Sequence, residues 1–100
     1  MEREHQIIKL SNMFSVLGDE TRLSIVYFLK NGDANVTQIA NGLGISQSLV
    51  SHQLKTLRDM LIVKSRRDGK QVIYSLDDEH VFILIETALE KSGIYVKFKG

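Results

Sequence analysis

A repeating apolar pattern in the middle of the chain predicts a helix that begins after Ser46. Its apolar positions recur at i, i+4, i+7 and i+11, which places them on one helical face: Val50, Leu54, Leu57 and Leu61. The opposite face carries small polar side chains and one cation, without any carboxylate: Gln47, Ser48, Ser51, His52 and Lys55. Such a face suits a helix that lies in the major groove of DNA, where side-chain donors and acceptors meet the base edges.

The residues just before this helix predict a shorter helix and a tight turn. Asn35 is expected as the N-cap, with Gln38 as the reciprocal partner of a capping box. Gly44 can adopt the left-handed conformation that ends a helix, and Ser46 is expected to cap the next one. Two short helices joined in this way form a helix-turn-helix. An ordinary helical hairpin explains the apolar positions equally well, but it does not explain a polar face without acids.

After the second of these helices the hydrophobic period changes from helical to alternating and predicts a β-hairpin. The alternating segments, 63–67 and 70–75, are separated by Asp68-Gly69 as the turn. Basic residues surround the predicted tip: Arg66, Arg67 and Lys70. A hairpin in this position is a wing, and its cations are expected to contact the DNA backbone or the minor groove. A solvated hairpin tip would also be charged, but with Lys64 there are four bases within seven residues.

Apolar periodicity predicts two helices before the helix-turn-helix and one after the hairpin. The first spans residues 2–17, the second begins after its cap Asp19, and the last opens with residues 76–80. The last helix is apolar nearly all round over residues 81–89, more than a chain of this length can bury in its own core. A second subunit is therefore expected to cover it. The tail, residues 94–99, alternates weakly, and the sequence leaves open whether it docks on a dimer or frays.

Length and composition bound the class of protein. With 100 residues, 43% apolar and 25% charged, residues 1–100 are expected to form a single domain. The lack of cysteine excludes disulfides and thiolate metal sites, and no signal peptide or membrane span is visible, so a cytoplasmic protein is expected. The net charge is only +1, yet bases predominate over residues 47–75 and acids over residues 77–90. One surface is thus expected to face phosphate and another to avoid it.

Several segments, at their spacings in the chain, resemble the ArsR/SmtB family of bacterial winged-helix repressors. The segments that carry the resemblance are 14–23, 39–40, 43–48, 50–57 and 72–76. Two positions depart from the family pattern, since Glu20 stands where the family often has Pro, and Leu61 where it often has Gly. The fold class that follows is mainly α with a β-hairpin, a winged helix-turn-helix.

The resemblance implies a homodimer, built from helices 1 and 5, that binds double-stranded DNA. Members of the family repress transcription from an inverted-repeat operator and release DNA when an inducer binds. The residues expected at the dimer interface are Ile7, Leu10, Phe14, Val81, Leu84, Ile85 and Ala88. The residues expected to contact DNA are the polar helix face and the wing-tip cations named above.

The inducer is left open by the resemblance, because neither metal site of the family is complete. Thiolate sensors carry Cys-Val-Cys where this chain has Asn35-Val36-Thr37. Zinc, cobalt and nickel sensors carry on the last helix Asp-x-His and, ten residues on, His-x-x-His, with two ligands from each subunit. Asp78 and His80 match the first half of that pattern. A structural role, as a cap and a first-turn residue, explains this pair as simply as a metal does.

The second half of the metal pattern falls on Lys91 and Ile94, neither of which can ligate a divalent ion. Zinc would therefore need other donors, such as Glu90, to complete a variant site with Asp78 and His80. An ammonium group at the vacated position could instead pair with Asp78 of the other subunit. We therefore expect DNA binding that does not respond to zinc.

Two other classes of function compete with a repressor. An enzyme would need a nucleophile, an acid/base pair or a phosphate loop, and the chain has no cysteine, widely separated histidines and no glycine-rich loop. An enzyme is therefore not expected. A winged helix used for protein contacts would have no need of an acid-free helix face beside a basic wing.

Overall fold

The predicted order of elements is confirmed by a computed structural model of the chain, which describes residues 2–93. In chain order the elements are α1 (Glu2–Leu17), α2 (Glu20–Lys30), α3 (Val36–Leu43), α4 (Gln47–Asp59), β1 (Val63–Asp68), β2 (Gln71–Leu76) and α5 (Glu79–Lys91). The two strands pair antiparallel, and the fold is mainly α with one hairpin, a winged helix-turn-helix. None of the described helices has the length and apolar character needed to cross a membrane. The tail, residues 94–99, lies outside the described residues.

Side-chain caps start the helices where the sequence predicts them. The side chains of Asp19, Asn35 and Ser46 each accept a hydrogen bond from a backbone N–H in the first turn of the helix that follows. Asn35 also completes the predicted capping box, because the Gln38 side chain accepts from the Asn35 backbone N–H at 2.9 Å. Gly44 ends α3 with a φ of +69°. These caps satisfy donors that a helix cannot satisfy internally, which fixes both ends of the turn.

The hydrophobic core lies between α2, α3, α4 and the hairpin. Its most deeply buried side chains are Ile25, Val26, Ile39, Val50, Leu54, Leu57, Ile62 and Val63. The terminal helices contribute less, since Leu17 is the buried residue of α1 and Ile85 that of α5. The helix-turn-helix is therefore supported from within the protomer.

Leu61 does not lie on the buried face of α4, where periodicity placed it. The helix ends at Asp59, and Leu61 is 71% exposed with a φ of +60°. The Leu61 N–H bonds to the carbonyl of Arg58 at 3.0 Å and the Ile62 N–H to that of Leu57 at 2.9 Å. This pair of bonds is the Schellman pattern, whose left-handed position is usually glycine. The chain thus reverses at Leu61, and Ile62 enters the core in its place.

The hairpin turn lies one residue later than predicted. Asp68 and Gln71 pair with each other at the ends of the strands, so the central residues are Gly69 and Lys70 rather than Asp68-Gly69. Gly69 has a φ of +64°, as the first central position of a type II′ turn requires. Lys70 accordingly stays at the tip of the hairpin.

The hairpin is also fixed along its second edge. Ala34, in the α2–α3 connection, forms an antiparallel bridge with Tyr74 of β2. The two residues exchange N–H···O bonds of 3.0 and 2.8 Å. The wing therefore has a defined position relative to the helix-turn-helix.

An ion pair attaches α5 to α2 beside the core contact of Ile85. The ammonium of Lys30 lies 2.7 Å from a carboxylate oxygen of Glu86. The same ammonium is 5.5 Å from the ring centre of Tyr27 and 5.4 Å from that of Phe82. Aromatic faces attract a cation at such distances, so this contact holds α5 against α2.

Candidate nucleic-acid interface

The structure brings the predicted reading residues together on one exposed face of α4. These residues are Gln47, Ser48, Ser51, His52 and Lys55. The opposite side of the helix buries Val50, Leu54 and Leu57, so the polar face is turned away from the core. The face has the width of one helix and presents donors, acceptors and one ammonium group, which is the chemistry that base edges and phosphates accept.

A carboxylate lies next to this face, at the far end of the helix. Asp59 accepts from the ammonium of Lys55 at 3.3 Å, and both side chains are more than half exposed. Exposed pairs of this kind contribute less than about 1 kcal/mol, so a phosphate can take the place of Asp59. The ammonium of Lys55 can therefore exchange its carboxylate partner for a phosphate.

Leu49, which the sequence prediction left out, is an exposed residue of α4 that flanks this face. Its side chain is exposed in the first turn of α4, between Ser48 and the buried Val50. Apolar side chains in the major groove contact the methyl group of thymine. The signal in the sequence was a leucine that falls off the i, i+4, i+7 stripe.

The three predicted wing cations do not have equivalent surroundings. Arg67 and Lys70 are exposed at the hairpin tip, and among residues 2–93 neither has a carboxylate partner in ion-pair distance. Arg66 instead donates from Nη1 to Oδ2 of Asp33 at 2.8 Å. Its guanidinium is directed back to the α2–α3 connection, but both side chains are about half exposed, so a phosphate can take the place of Asp33 here as well.

The predicted dimer residues fall into an exposed set and a buried exception. Ile7, Leu10 and Phe14 of α1 are exposed, at 61%, 49% and 52%. In α5, Val81 and Leu84 are half-buried and Ala88 is exposed, whereas Ile85 lies in the core of its own protomer. On α1 and α5, the exposed large apolar residues that the prediction left out are Ile8, Phe82 and Ile83. A run of five apolar residues gives no periodic signal by which to tell which of them faces the core.

Asp78 and His80, the predicted metal residues, form a helix start. Oδ1 of Asp78 accepts from the backbone N–H of His80 at 2.9 Å and from that of Val81 at 3.3 Å. Its Oδ2 lies 3.3 Å from Nδ1 of His80. The hydrogen bond to the His80 side chain, followed by those from the two backbone N–H groups, lowers the pKa of Asp78 below its usual value of 3.8.

These residues do not fit a metal ion within one protomer. Both oxygens of Asp78 are engaged at the start of α5, and no three His, Cys, Asp or Glu side chains gather into a metal-binding group within residues 2–93. Lys91 is exposed in the last turn of α5, and Ile94 lies outside the described residues. Tetrahedral zinc needs four donors, and within residues 2–93 of one protomer Asp78 and His80 are not joined by a third.

Known proteins are similar to this chain in sequence. The model of the bacterial regulatory protein arsR family matches residues 19–65. The chain is 42% identical, over 80 residues, to a homolog of the cadmium resistance transcriptional regulatory protein CadC from Staphylococcus aureus, covering 79% of this chain and 66% of that protein. It is 38% identical, over 84 residues, to the HTH-type transcriptional regulator NmtR from Mycobacterium tuberculosis, covering 84% of this chain and 70% of NmtR. The chain belongs to the ArsR family.

The fold of this ArsR-family chain is also that of a solved domain. The homodimeric winged helix-turn-helix DNA-binding domain from Mycobacterium bovis matches with a TM-score of 0.87 at 22% identity, over 96% of this chain and 89% of that one. The predicted family, the winged helix-turn-helix fold and the class of a DNA-binding regulator rather than an enzyme are confirmed. The chain spans about two thirds of the length of the two relatives, 66% and 70%.

Proposed function

We propose that this chain represses transcription in the cytoplasm as a homodimer bound to an inverted-repeat operator. The observation that carries the proposal is the exposed polar face of α4 beside the two wing-tip cations, Arg67 and Lys70, which have no carboxylate partner among residues 2–93. Each α4 would lie in the major groove of one half-site, with the wing on the neighbouring backbone. A two-fold protein matches a two-fold DNA site, which is why an inverted repeat follows from a dimer.

The division of labour within the interface follows from side-chain chemistry. Gln47, Ser48, Ser51 and His52 can donate to and accept from base edges, so they would read sequence. Lys55, Arg67 and Lys70 carry charge on long stems and would bind phosphate, which positions the protein without reading sequence. Arg66 would bind the backbone as well, by exchanging its exposed partner Asp33 for a phosphate.

The reading and positioning roles can be separated by two substitutions. The probe is an inverted repeat selected from a random duplex pool with the wild-type protein, compared with a random duplex of equal length. Arg67→Ala should weaken binding to both DNAs alike and reduce the slope of log K against log salt by about one. Gln47→Ala should lower the preference for the selected repeat and leave the salt slope unchanged. If the two variants changed affinity and salt slope in the same way, the proposed division would be wrong.

The dimer would be formed by α1 and α5, which carry apolar side chains that their own protomer does not cover. The residues proposed for this interface are Ile7, Leu10, Phe14, Val81, Leu84 and Ala88, together with the exposed Ile8, Phe82 and Ile83. Ile85 would support the interface from below, because it lies in the protomer core. Apolar patches of this extent on a small domain mark protein–protein contacts.

As to the inducer, we propose that operator binding does not respond to zinc. One relative is named for cadmium resistance, yet this chain offers two donors near each other and places an ammonium, Lys91, where the family's zinc sensors have a histidine. A lysine is protonated at neutral pH and repels an incoming cation. If Lys91 pairs with Asp78 of the other subunit, its ammonium would permanently take the place of the positive charge that a metal ion supplies in the family's sensors.

The proposal on zinc is tested by operator affinity with a chelator and with zinc. We expect a change of less than about threefold for the wild-type protein. A drop beyond about tenfold, a coupling of roughly 1.4 kcal/mol, that disappears in His80→Ala would contradict it. Glu79→Ala is the matched control, since it removes a neighbouring exposed residue that is not a predicted ligand.

A further inference from the structure

One arginine joins three helices. The Nε of Arg22, in the first turn of α2, donates to the backbone carbonyl of Val16 at 2.8 Å. Its Nη1 donates to Oε1 of Gln53 at 3.0 Å. Val16 lies in the last turn of α1 and Gln53 in the middle of α4. A single planar group therefore connects the end of the proposed dimer helix with the proposed reading helix.

Each end of this connection suits its partner. The carbonyls in the last turn of a helix have no partner within the helix and form its negative pole. Arg22 satisfies one of them, that of Val16, and also places a positive charge at the negative end of α1. Gln53 is half-buried and is not part of the exposed polar face, although polar residues surround it in sequence. Its amide oxygen is held by Arg22 and leaves the reading side chains free.

Arginine is the residue type that can form this connection. The guanidinium is planar and presents its N–H groups in fixed directions, so its two bonds fix the angle between their acceptors. A lysine in the same place keeps the charge but offers one point of contact. The connection is half-buried, and hydrogen bonds to a charged group are stronger than those between neutral groups.

We propose that Arg22 is a positioning residue that fixes α4 relative to α1 and thereby sets the spacing of the two DNA half-sites. The inference rests on the proposed function, in which α1 forms the dimer and α4 reads DNA. In a two-fold dimer the distance between the recognition helices must match the helical repeat of DNA, about 34 Å for half-sites one turn apart. A change in the angle between α1 and α4 is repeated in both subunits, so a loosened connection would broaden the range of spacings accepted.

The experiment compares four proteins and one control variant with three DNAs. The proteins are wild type, Gln53→Met, Arg22→Lys and Gln53→Glu, the last of which keeps an acceptor for Arg22. The first DNA is the inverted repeat selected with the wild-type protein. The second has one base pair added between the half-sites, and the third has one base pair removed. Thr56→Val is the control variant, because Thr56 is the other half-buried polar residue of α4. Sedimentation and binding to a single half-site are measured for every protein.

For the wild-type protein we expect an altered spacing to weaken binding by at least about tenfold. In Gln53→Met and Arg22→Lys this penalty should fall below about threefold, while dimerisation and half-site affinity stay within about twofold of wild type. Gln53→Glu and Thr56→Val should keep the wild-type penalty. A positioning role therefore predicts that the spacing penalty is lost in Gln53→Met and Arg22→Lys and kept in Gln53→Glu. A loss of protein stability would instead weaken binding to all three DNAs alike.

Two results would overturn the inference. The first is that the wild type is a dimer and that Gln53→Met and Arg22→Lys show the same spacing penalty as the wild type. That result would overturn the inference and leave the proposed function intact. A wild type that sediments as a monomer, or that selects no inverted repeat, would overturn the proposed function and this inference with it.

Discussion

The helix-turn-helix and the two terminal helices differ in how much of their apolar surface the protomer buries. α3 and α4 bury their apolar stripes and expose polar side chains, as in Val50 and Leu54 against Ser51 and Lys55. α1 buries Leu17 alone and α5 buries Ile85 alone, although both helices are rich in apolar residues. The core of the helix-turn-helix is thus completed within one chain, whereas the terminal helices leave apolar side chains exposed, which we propose a second copy covers.

This contrast divides the molecule by what its stability depends on. Burial inside one protomer is independent of protein concentration, but burial between two copies follows mass action. Substitutions in the two regions should therefore differ in concentration dependence as well as in size.

The largest effect is expected for Leu54→Ala in the core of the helix-turn-helix. The leucine is 1% exposed, so its truncation leaves a cavity and should lower the free energy of unfolding by about 2–5 kcal/mol. Denaturant unfolding at two protein concentrations a hundredfold apart measures this. The decrease in the free energy of unfolding should be the same at both concentrations. A decrease that grew on dilution would contradict the assignment of Leu54 to burial within one protomer.

A smaller and concentration-dependent effect is expected for Phe14→Ala in α1. Phe14 is half-exposed in the protomer, so its truncation removes contacts with the second copy rather than with its own core. The melting temperature should fall further in dilute than in concentrated protein. Leu23→Ala, an exposed leucine on α2, is the control and should show no such dependence. Equal behaviour of the two variants would remove the distinction between the regions.

At the end of α4, Leu61→Gly should stabilise the protein by about 0.5–1 kcal/mol. A left-handed conformation costs a side chain with a β-carbon about 1–2 kcal/mol, and glycine avoids that cost while losing part of the gain to chain entropy. Leu61→Ala keeps the β-carbon and should give no gain. Thermal unfolding of the two variants decides it; stabilisation by Ala as well as Gly would mean that exposure of the leucine, not backbone strain, is the cause.

The smallest effect concerns the start of α5. Because the pKa of Asp78 is lowered in the folded protein, its carboxylate stabilises the fold at pH values above its unfolded pKa of about 4, and this contribution is lost as the pH falls through the lowered pKa. At pH 6 the melting temperature of the wild type should be higher than that of Asp78→Asn, and this difference in melting temperature should disappear towards pH 3. A difference that persisted unchanged into acid would show that the charge of Asp78 contributes nothing.

Local signals in the sequence predicted most of the fold. The caps Asp19, Asn35 and Ser46 start helices through bonds that span three residues, so a short stretch of sequence contains both partners. The change of period after α4 likewise marks the hairpin without any knowledge of the rest. Periodicity failed at Leu61, where the chain leaves the helix within one residue and the regular spacing no longer describes which side faces the core.

The contacts that tune the candidate interface were not predictable in the same way. The bond from Arg22 to Gln53 joins residues 31 positions apart, and that from Arg66 to Asp33 joins residues 33 apart. Which side chains meet at such separations depends on how the helices and the wing pack, and no pattern along the chain encodes it. For this reason the sequence grouped Arg66 with Arg67 and left Gln53 without a role.

The central claim is that the uncovered apolar surface of α1 and α5 is the dimer surface on which DNA binding depends. Its most direct test is Ile83→Asp, studied by sedimentation together with binding to the selected inverted repeat. Ile83 is 53% exposed on α5, so a carboxylate there is tolerated by the protomer but not by a covered interface. We predict a folded monomer whose affinity for the repeat falls by about a hundredfold, while Leu23→Asp stays dimeric and bound. A dimeric Ile83→Asp that binds the repeat as tightly as the wild type would contradict the account.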